Sequence, residues 1–523
     1  MTSTAATKPL NVLLLMADQM AATALPVYGH TVVKAPHLEA LASGAAVFDN
    51  AYCNFPICAP SRASMLTGRM PTSIDVFDNA SECSASLPTL AHYLKSLGYS
   101  TSLVGKMHFV GPDQLHGFED RPVTDIYPAD FNWVPDWAEG PANAPTGISM
   151  RAVTEAGPCR RSLQIDYDEE VEFHGVQKLW DLARTPERQP FFLTISFTHP
   201  HSPFTAPQEQ WDRYRPEDID MPAVPPIPLA KMDEHSRWLY YSHGRDLYTV
   251  SDEHVRNARR AYYAMISYID DKIGRIMETL EKADLADNTI VIFASDHGEM
   301  MGERGMWYKQ TFFEWSARVP LIIRVPGRSG GRRVSKVVSL VDLFPTVLDL
   351  ATGGRPPELV DPIDGNSLTG LMSGKDNNWP DTAISEYTDM GVIMPCRMLR
   401  QGRYKYIYTH QYPAQLYDLD VDLNELNNLS GLARYSEIED SMCKRVLRDW
   451  DPEQVLVRVL QSQKRRKLIS DAMQKSDKYP NWSHLARPED AKRYVRGSAK
   501  TGGGTVTVKA RARFPYVAPT IAK

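Results

Sequence analysis

Between Asn54 and Ser64 the chain reads Asn54-Phe55-Pro56-Ile57-Cys58-Ala59-Pro60-Ser61-Arg62-Ala63-Ser64, which places a thiol, a proline, hydroxyls and a guanidinium within one short stretch. Pro60 fixes its own φ and biases Ala59 toward extended backbone. Ser61 and Ser64 are placed to cap a helix that begins nearby. Cys58 is therefore expected at a loop-to-helix junction, where a helix N-terminus attracts anions. Arg62, about one turn on, can face back toward Cys58. These residues suit the handling of an oxyanion, and they equally suit a buried structural thiol beside a solvated arginine.

Other chemistry-bearing residues fall just after apolar runs. Residues 11–17 form a continuous apolar run, as in a parallel strand buried on both faces. The run ends in Asp18-Gln19, where open α/β sheets place ligands; a helix N-cap is the plain alternative for Asp18. A second strand over 101–104 leads into Gly105-Lys106-Met107-His108, with Lys106 and His108 expected on one face of an extended segment. A third strand, 191–197, leads into Thr198-His199-Pro200-His201-Ser202-Pro203, whose prolines stiffen the backbone around His201. A fourth, 289–294, leads into Ser295-Asp296-His297-Gly298, and Lys309 follows. A parallel sheet would gather these ends, and the oxygen and nitrogen ligands of Asp18, Asp296 and His297 would suit a divalent cation.

The intervening segments supply the frame. Helices are expected over 88–97, 171–183, 255–282 and 341–350, and further strands over 319–325 and 404–408. Residues 111–165 are Pro-rich, aromatic and weakly periodic, so they are expected as a long functional loop. Its aromatics, Tyr127, Trp133 and Trp137, either pack the loop or line a pocket for a cationic or aromatic leaving group. Near residue 375 the pattern shifts to short alternating segments and then charged helix, giving an expected division into 1–375, 376–475 and a tail, 476–523, read as an oligomerisation arm. A partly disordered terminus is the plain reading of that tail.

The chain has 523 residues, more than one core usually serves, with 43% hydrophobic and 23% charged residues, as in globular proteins. A net charge of −6 argues against a nucleic-acid binder. No apolar run is long enough to span a membrane, and the start resembles a first strand more than a signal peptide. Six cysteines form no regular framework, which points to reduced thiols and a cytoplasmic location.

Cys58-x-Pro60-Ser61-Arg62, with Ala63-Ser64-Met65-Leu66-Thr67-Gly68 after it, resembles the signature of the type I sulfatases. Asp18, Gly105-Lys106-x-His108, Pro200-His201-x-Pro203 and Ser295-Asp296-His297-Gly298 follow in that family's order, and Leu416-Tyr417-Asp418-Leu419 resembles its small C-terminal subdomain. The likeness covers about residues 10–500. It implies an alkaline-phosphatase-like α/β fold, with a large mixed sheet between helices and a small C-terminal antiparallel sheet. It implies that Cys58 is oxidised to formylglycine by a formylglycine-generating enzyme, and that one metal ion, Ca²⁺ or Mn²⁺, is held by Asp18, Gln19, the modified residue 58, Asp296 and His297. Arg62, Lys106 and Lys309 would act on the sulfate and nucleophile, His201 with Lys309 on the leaving group, and His108 on the proton of the sulfated diol. Asn79 matches a family asparagine that donates to sulfate.

Gly105 through Glu119, Asp125 through Phe131 and Gly302-Glu303-Arg304-Gly305 are similar to the choline-sulfatase group. By that likeness Trp133 and Glu386 contact substrate, the substrate is a small sulfate ester such as choline sulfate, and the protein is a homodimer or homotetramer. That group carries a His-Asn pair in the long loop, which residues 138–165 lack. Phosphonate-monoester or phosphodiester hydrolysis on the same fold is the enzymatic rival, and a non-catalytic binding protein the other.

Overall fold

The computed structural model describes residues 9–185, 189–328, 331–375, 378–475, 482 and 484. The chain divides into two compact units, Met1–Ser483 and His484–Lys523, and every helix and strand among the described residues belongs to the first. Of the expected tail, Trp482 packs edge-on against Phe131 with ring centroids 5.2 Å apart, whereas Tyr479 and Tyr494 lie outside the described residues. No described helix is long and apolar enough to cross a membrane.

The first ten strands are β1 (Asn11–Ala17), β2 (Ala46–Tyr52), β3 (Ser100–Gly105), β4 (Asp120–Val123), β5 (Gly157–Cys159), β6 (Phe191–Ser196), β7 (Thr205–Pro207), β8 (Thr289–Ser295), β9 (Leu321–Arg324) and β10 (Arg332–Ser339). Eight of them form one mixed sheet in the order β10-β2-β9-β8-β1-β6-β3-β4, while β5 and β7 pair separately. β1 runs parallel to β6 on one side and β8 on the other. β9 runs antiparallel to both β2 and β8. The expected gathering of strand ends is therefore real: Asp18, Lys106 and Asp296 follow β1, β3 and β8, all within the parallel run β8-β1-β6-β3.

Burial on both faces explains the unbroken apolar runs. Every residue of β1, β6 and β8 is buried. Along β1, Val12, Leu14 and Met16 enter one core, and Leu13 and Leu15 the other. The long helix Asp252–Lys282 fills the second core with Tyr262, Met265, Ile266, Ile269, Ile273, Ile276 and Leu280, the stripe expected from the period. The helices Cys58–Thr67 and Leu343–Thr352 fill the first with Met65, Leu66, Phe344 and Val347. The helix expected from 171 begins earlier, at Leu163, because Ser162 caps it by accepting from the Ile165 amide at 3.2 Å.

The C-terminal part carries an antiparallel sheet of β11 (Thr382–Tyr387), β12 (Cys396–Gln401), β13 (Tyr404–Thr409) and β14 (Gln415–Asp418). Leu399, Tyr406 and Leu416 pack on Met442 and Val446 of the helix Ser436–Val446. A buried ion group ties this sheet to the larger part. Lys405 Nζ lies 2.7 Å from both Glu314 Oε1 and Glu425 Oε1, and 2.8 Å from the Phe312 carbonyl.

The turn after β3 is built by close backbone approach. Gly105 has φ 99°, and a Cβ there would lie 2.2 Å from the Ser196 carbonyl oxygen. Beyond it the chain does not stay extended as expected, since His108 has φ 58°. Asp125 holds this turn, accepting from the Met107 amide at 2.9 Å, the His108 amide at 2.6 Å and Arg121 at 2.8 Å. Burial alone would raise the Asp125 pKa, but Arg121, then His108 and Lys106, outweigh it and hold the carboxyl below its ordinary range.

Two outcomes follow from these buried charges. Lys405→Met removes the cation between Glu314 and Glu425 and leaves Arg318, 3.5 Å from Glu314, as partial compensation, so unfolding free energy should fall by about 3 kcal/mol, read from denaturant midpoints. A depressed carboxyl contributes stability above its unfolded pKa of about 4 and loses it as pH falls through the folded value. Asp125→Asn should therefore lower the melting temperature at pH 7, and the gap from the unsubstituted protein should narrow steadily below about pH 4.

Candidate active site

Cys58 is the first residue of the helix Cys58–Thr67, at the loop-to-helix junction expected for it, and is 1% exposed. The serines do not cap that helix. Ile57 is the N-cap, with extended backbone and no side-chain cap. Ser61 Oγ instead donates to the Asp296 carbonyl at 2.6 Å, and Ser64 Oγ to the Arg69 carbonyl at 2.7 Å. Both hydroxyls are already inside the helix, so they bind neighbouring backbone. Arg62 spans the site: Nε donates to Asp296 Oδ2 at 2.7 Å, and Nη1 to the Lys106 carbonyl at 2.7 Å and Ser196 Oγ at 2.9 Å.

Ligand atoms of Asp18, Cys58, Asp296 and His297 all lie within 4.8 Å of one another, and all four residues are buried. His297 Nδ1 lies 3.0 Å from the Gly298 carbonyl, which can only accept, so Nδ1 carries the proton. Its Nε2 lone pair then faces Cys58 Sγ at 3.2 Å and Asp18 Oδ1 at 3.7 Å. Two carboxylates and an oriented imidazole fit a divalent cation. Gln19 is present but otherwise engaged: its Oε1 accepts from Lys309 Nζ at 2.5 Å, and its amide nitrogen donates to Glu299. As a ligand it would have to use the second lone pair of Oε1.

Lys106 Nζ contacts Asp18 and lies 4.1 Å from the Tyr127 ring centroid. Burial lowers its pKa to about 7, with Asp296 opposing and Lys309 adding to the shift. Lys309 Nζ lies 2.7 Å from His201 Nε2 and 3.7 Å from Cys58 Sγ. His201 Nδ1 lies 2.6 Å from the Ser202 carbonyl, so Nε2 is the acceptor. Burial and the Lys309 charge keep His201 well below its ordinary pKa, hence neutral. His108 is lowered to about 3 by burial and by Lys106, and neither ring nitrogen has a hydrogen-bond partner.

Cys58, His108, His201 and Lys309 line the floor of a cavity of about 550 Å³. Asn79 is on its wall, with Oδ1 accepting from the Ala59 amide at 2.9 Å, which leaves Nδ2 as the donor toward the cavity. Trp133 also lines it, within a corner where its ring lies 5.2 Å from Tyr127 and 5.9 Å from His108. Among the described residues Glu155 is the one carboxylate on the lining, and it is paired with Arg151 at 2.9 Å.

Glu386 is elsewhere, which corrects its placement as a substrate contact. It is fully buried on β11, accepts from the Thr72 amide at 2.9 Å, and pairs with Arg397 at 3.4 Å beside a different cavity of about 570 Å³. Met390, a few residues on, lines the catalytic cavity instead. Glu299, which joins Gln19 to the Tyr308 and Met301 amides, was not read from the sequence either. Its position three residues after Asp296 was the available signal; Met390 gave none.

The chain matches the family model described as Sulfatase over residues 10–354, and the model for the C-terminal region of N-sulphoglucosamine sulphohydrolase over 302–451. It is 41% identical to a choline-sulfatase of Rhizobium meliloti, covering 93% of this chain and 95% of that one. It is 29% identical to an arylsulfatase of Clostridium perfringens, over 84% and 94% of the two chains. Among solved structures, a phosphonate monoester hydrolase of Agrobacterium radiobacter superposes with a TM-score of 0.66 at 26% identity, covering 84% and 95%. A protein solved in complex with its substrate D-glucosamine-2-N,6-O-disulfate superposes with a TM-score of 0.68 at 22% identity, covering 85% and 99%. The fold is the alkaline-phosphatase-like one expected, and the chain belongs to the sulfatase family.

Proposed function

We propose that the protein hydrolyses small sulfate monoesters, choline sulfate foremost, with a formylglycine made from Cys58 as the nucleophile and one Ca²⁺ or Mn²⁺ ion held by Asp18, Asp296, His297 and residue 58, with Gln19 beside them. The observation that carries this reading is Cys58 at the cavity floor, grouped with the three metal-type ligands Asp18, Asp296 and His297 and lying 3.7 Å from Lys309, which contacts His201. Burial pushes the Cys58 thiol up to about 11 against the pull of Lys309, so the unmodified thiol stays protonated and is a poor nucleophile. The hydrated aldehyde of formylglycine offers one hydroxyl to attack sulfur and a second whose deprotonation expels sulfate. The metal ion would supply positive charge that favours the ionised hydroxyl.

The chain's own residues then divide the work. Lys106 and the Nδ2 of Asn79 hold sulfate oxygens as charge develops on them. Lys309 gives a proton to the leaving oxygen, and neutral His201, whose Nε2 accepts from the Lys309 ammonium at 2.7 Å, orients it. His108 has both ring nitrogens unengaged and takes the proton when the sulfated diol collapses. The wall formed by Trp133, Tyr127, Ile148 and Met390 receives the leaving group. A trimethylammonium over the indole would gain roughly 0.5–2 kcal/mol.

One observation favours a second reading of the leaving group: apart from the rim residue Glu155, no described carboxylate faces the cavity to meet a cation. A neutral aryl or alkyl group would then serve as well. The free state of all six cysteines supports a reducing, cytoplasmic setting. Self-association through the tail, as homodimer or homotetramer, completes the proposal.

Trp133→Ala separates the two leaving groups. With choline sulfate, kcat/KM should fall about 10-fold or more, and with an aryl sulfate by less than about threefold. Equal losses, or no turnover of choline sulfate by the unsubstituted enzyme, would transfer the assignment to neutral sulfates. An aryl phosphonate assayed under the same metal should be the poorer substrate; a preference for it would replace sulfate hydrolysis by phosphonate hydrolysis.

A further inference from the structure

The loop that presents Asn79 is gripped from the far end of the chain. Asp78, next to Asn79, is fully buried, and both of its carboxylate oxygens receive an Nη of Arg466 at 2.6 Å. Arg466 is 5% exposed and belongs to the helix Pro452–Gln474. Asp78 Oδ1 also accepts from the Ala80 amide at 3.0 Å and Ser81 Oγ at 3.1 Å, so one carboxylate sets the turn 78–81. On the other side Asp389 Oδ2 accepts from the Asn79 amide at 3.0 Å. Both acids are buried, and the guanidinium pairs with Asp78. Burial, reinforced by the Asp78 charge, holds Asp389 well above the ordinary carboxylate range, while Arg466 makes its two-point contact with Asp78.

A bidentate arginine–carboxylate pair fixes orientation as well as distance. Fixing Asp78 fixes the backbone of Asn79, whose Oδ1 already accepts from Ala59, the residue after Cys58. The Asn79 amide therefore has one direction left for its Nδ2, which is into the cavity beside the nucleophile.

We propose that Arg466 is a positioning residue for sulfate hydrolysis: by gripping Asp78 it aims the Asn79 amide at the sulfate. The proposal rests on the reading of Asn79 as a sulfate contact. Lysine at 466 would keep the charge but lose the two-point geometry.

The test is a double-mutant cycle on the full-length enzyme with an aryl sulfate. Arg466→Lys should lower kcat/KM about tenfold, mostly through kcat, and Asn79→Ala by at least as much. The double variant should match Asn79→Ala within about twofold, because the grip has nothing left to aim. Arg458→Lys, on the same helix but paired with the exposed Asp75, should stay within about twofold of the unsubstituted enzyme. If Arg466→Lys does not fold, Asp78→Asn takes its place in the cycle with the same expected outcome. Losses of equal size in both backgrounds, or no loss from Arg466→Lys, would overturn the proposal while leaving Asn79 as a sulfate contact. A silent Asn79→Ala would remove that reading, and the positioning role with it.

Discussion

Charge balance in a dry site is the constraint on which the rest of this structure depends. Asp18, Asp296, Arg62 and Lys106 show no side-chain exposure, and they meet where β1, β3 and β8 end. Removing each ion from water costs several kcal/mol, so none is tolerable without its partners. Arg62 satisfies the most demands at once. Its fork reaches Asp296, the carbonyl of Lys106 and the hydroxyl of Ser196, and so joins the ends of three strands to the helix that carries Cys58. A lysine has one donor centre and could not span those acceptors.

The cavity above this cluster has two characters. Its floor is polar and crowded with fixed donors, and its wall is largely apolar, built from Trp133, Ile148 and Met390 among others. Chemistry and choice of leaving group are thereby carried by different parts of the chain. The floor comes from strand ends held by backbone pairing. The wall comes from the segment between β4 and β5 and from the segment after β11. Changes in the wall can alter what is accepted without disturbing the buried charges.

Much of this was legible in the sequence, for reasons that can be stated. β1, β6 and β8 are buried on both faces and so read as unbroken apolar runs, and each ends in residues that carry chemistry. Parallel pairing then brings Asp18 and Asp296 together with no further information needed. Local rules failed where a distant partner outbid them. Ser61 reads as a helix cap, yet the Asp296 carbonyl, 235 residues on, takes its hydroxyl. The family likeness, too, makes Glu386 a substrate contact, yet Thr72 and Arg397 hold it beside another cavity. Met390 and Arg466 acquire their roles only through packing across the fold, and no local pattern marks them.

The helix Pro452–Gln474 touches the cavity's supports at several points: Gln463 accepts from the Trp137 amide, Lys467 pairs with Asp136, and Gln474 donates to Asn132, next to Trp133. During synthesis this helix leaves the ribosome after every other described helix and strand. The buried charge cluster, whose members all precede residue 310, can assemble before it arrives. The walls on either side of Asn79 and Trp133 cannot be braced until it does. The order of translation therefore separates folding of the reactive floor from completion of the pocket above it, and a chain interrupted before residue 452 would hold the first without the second.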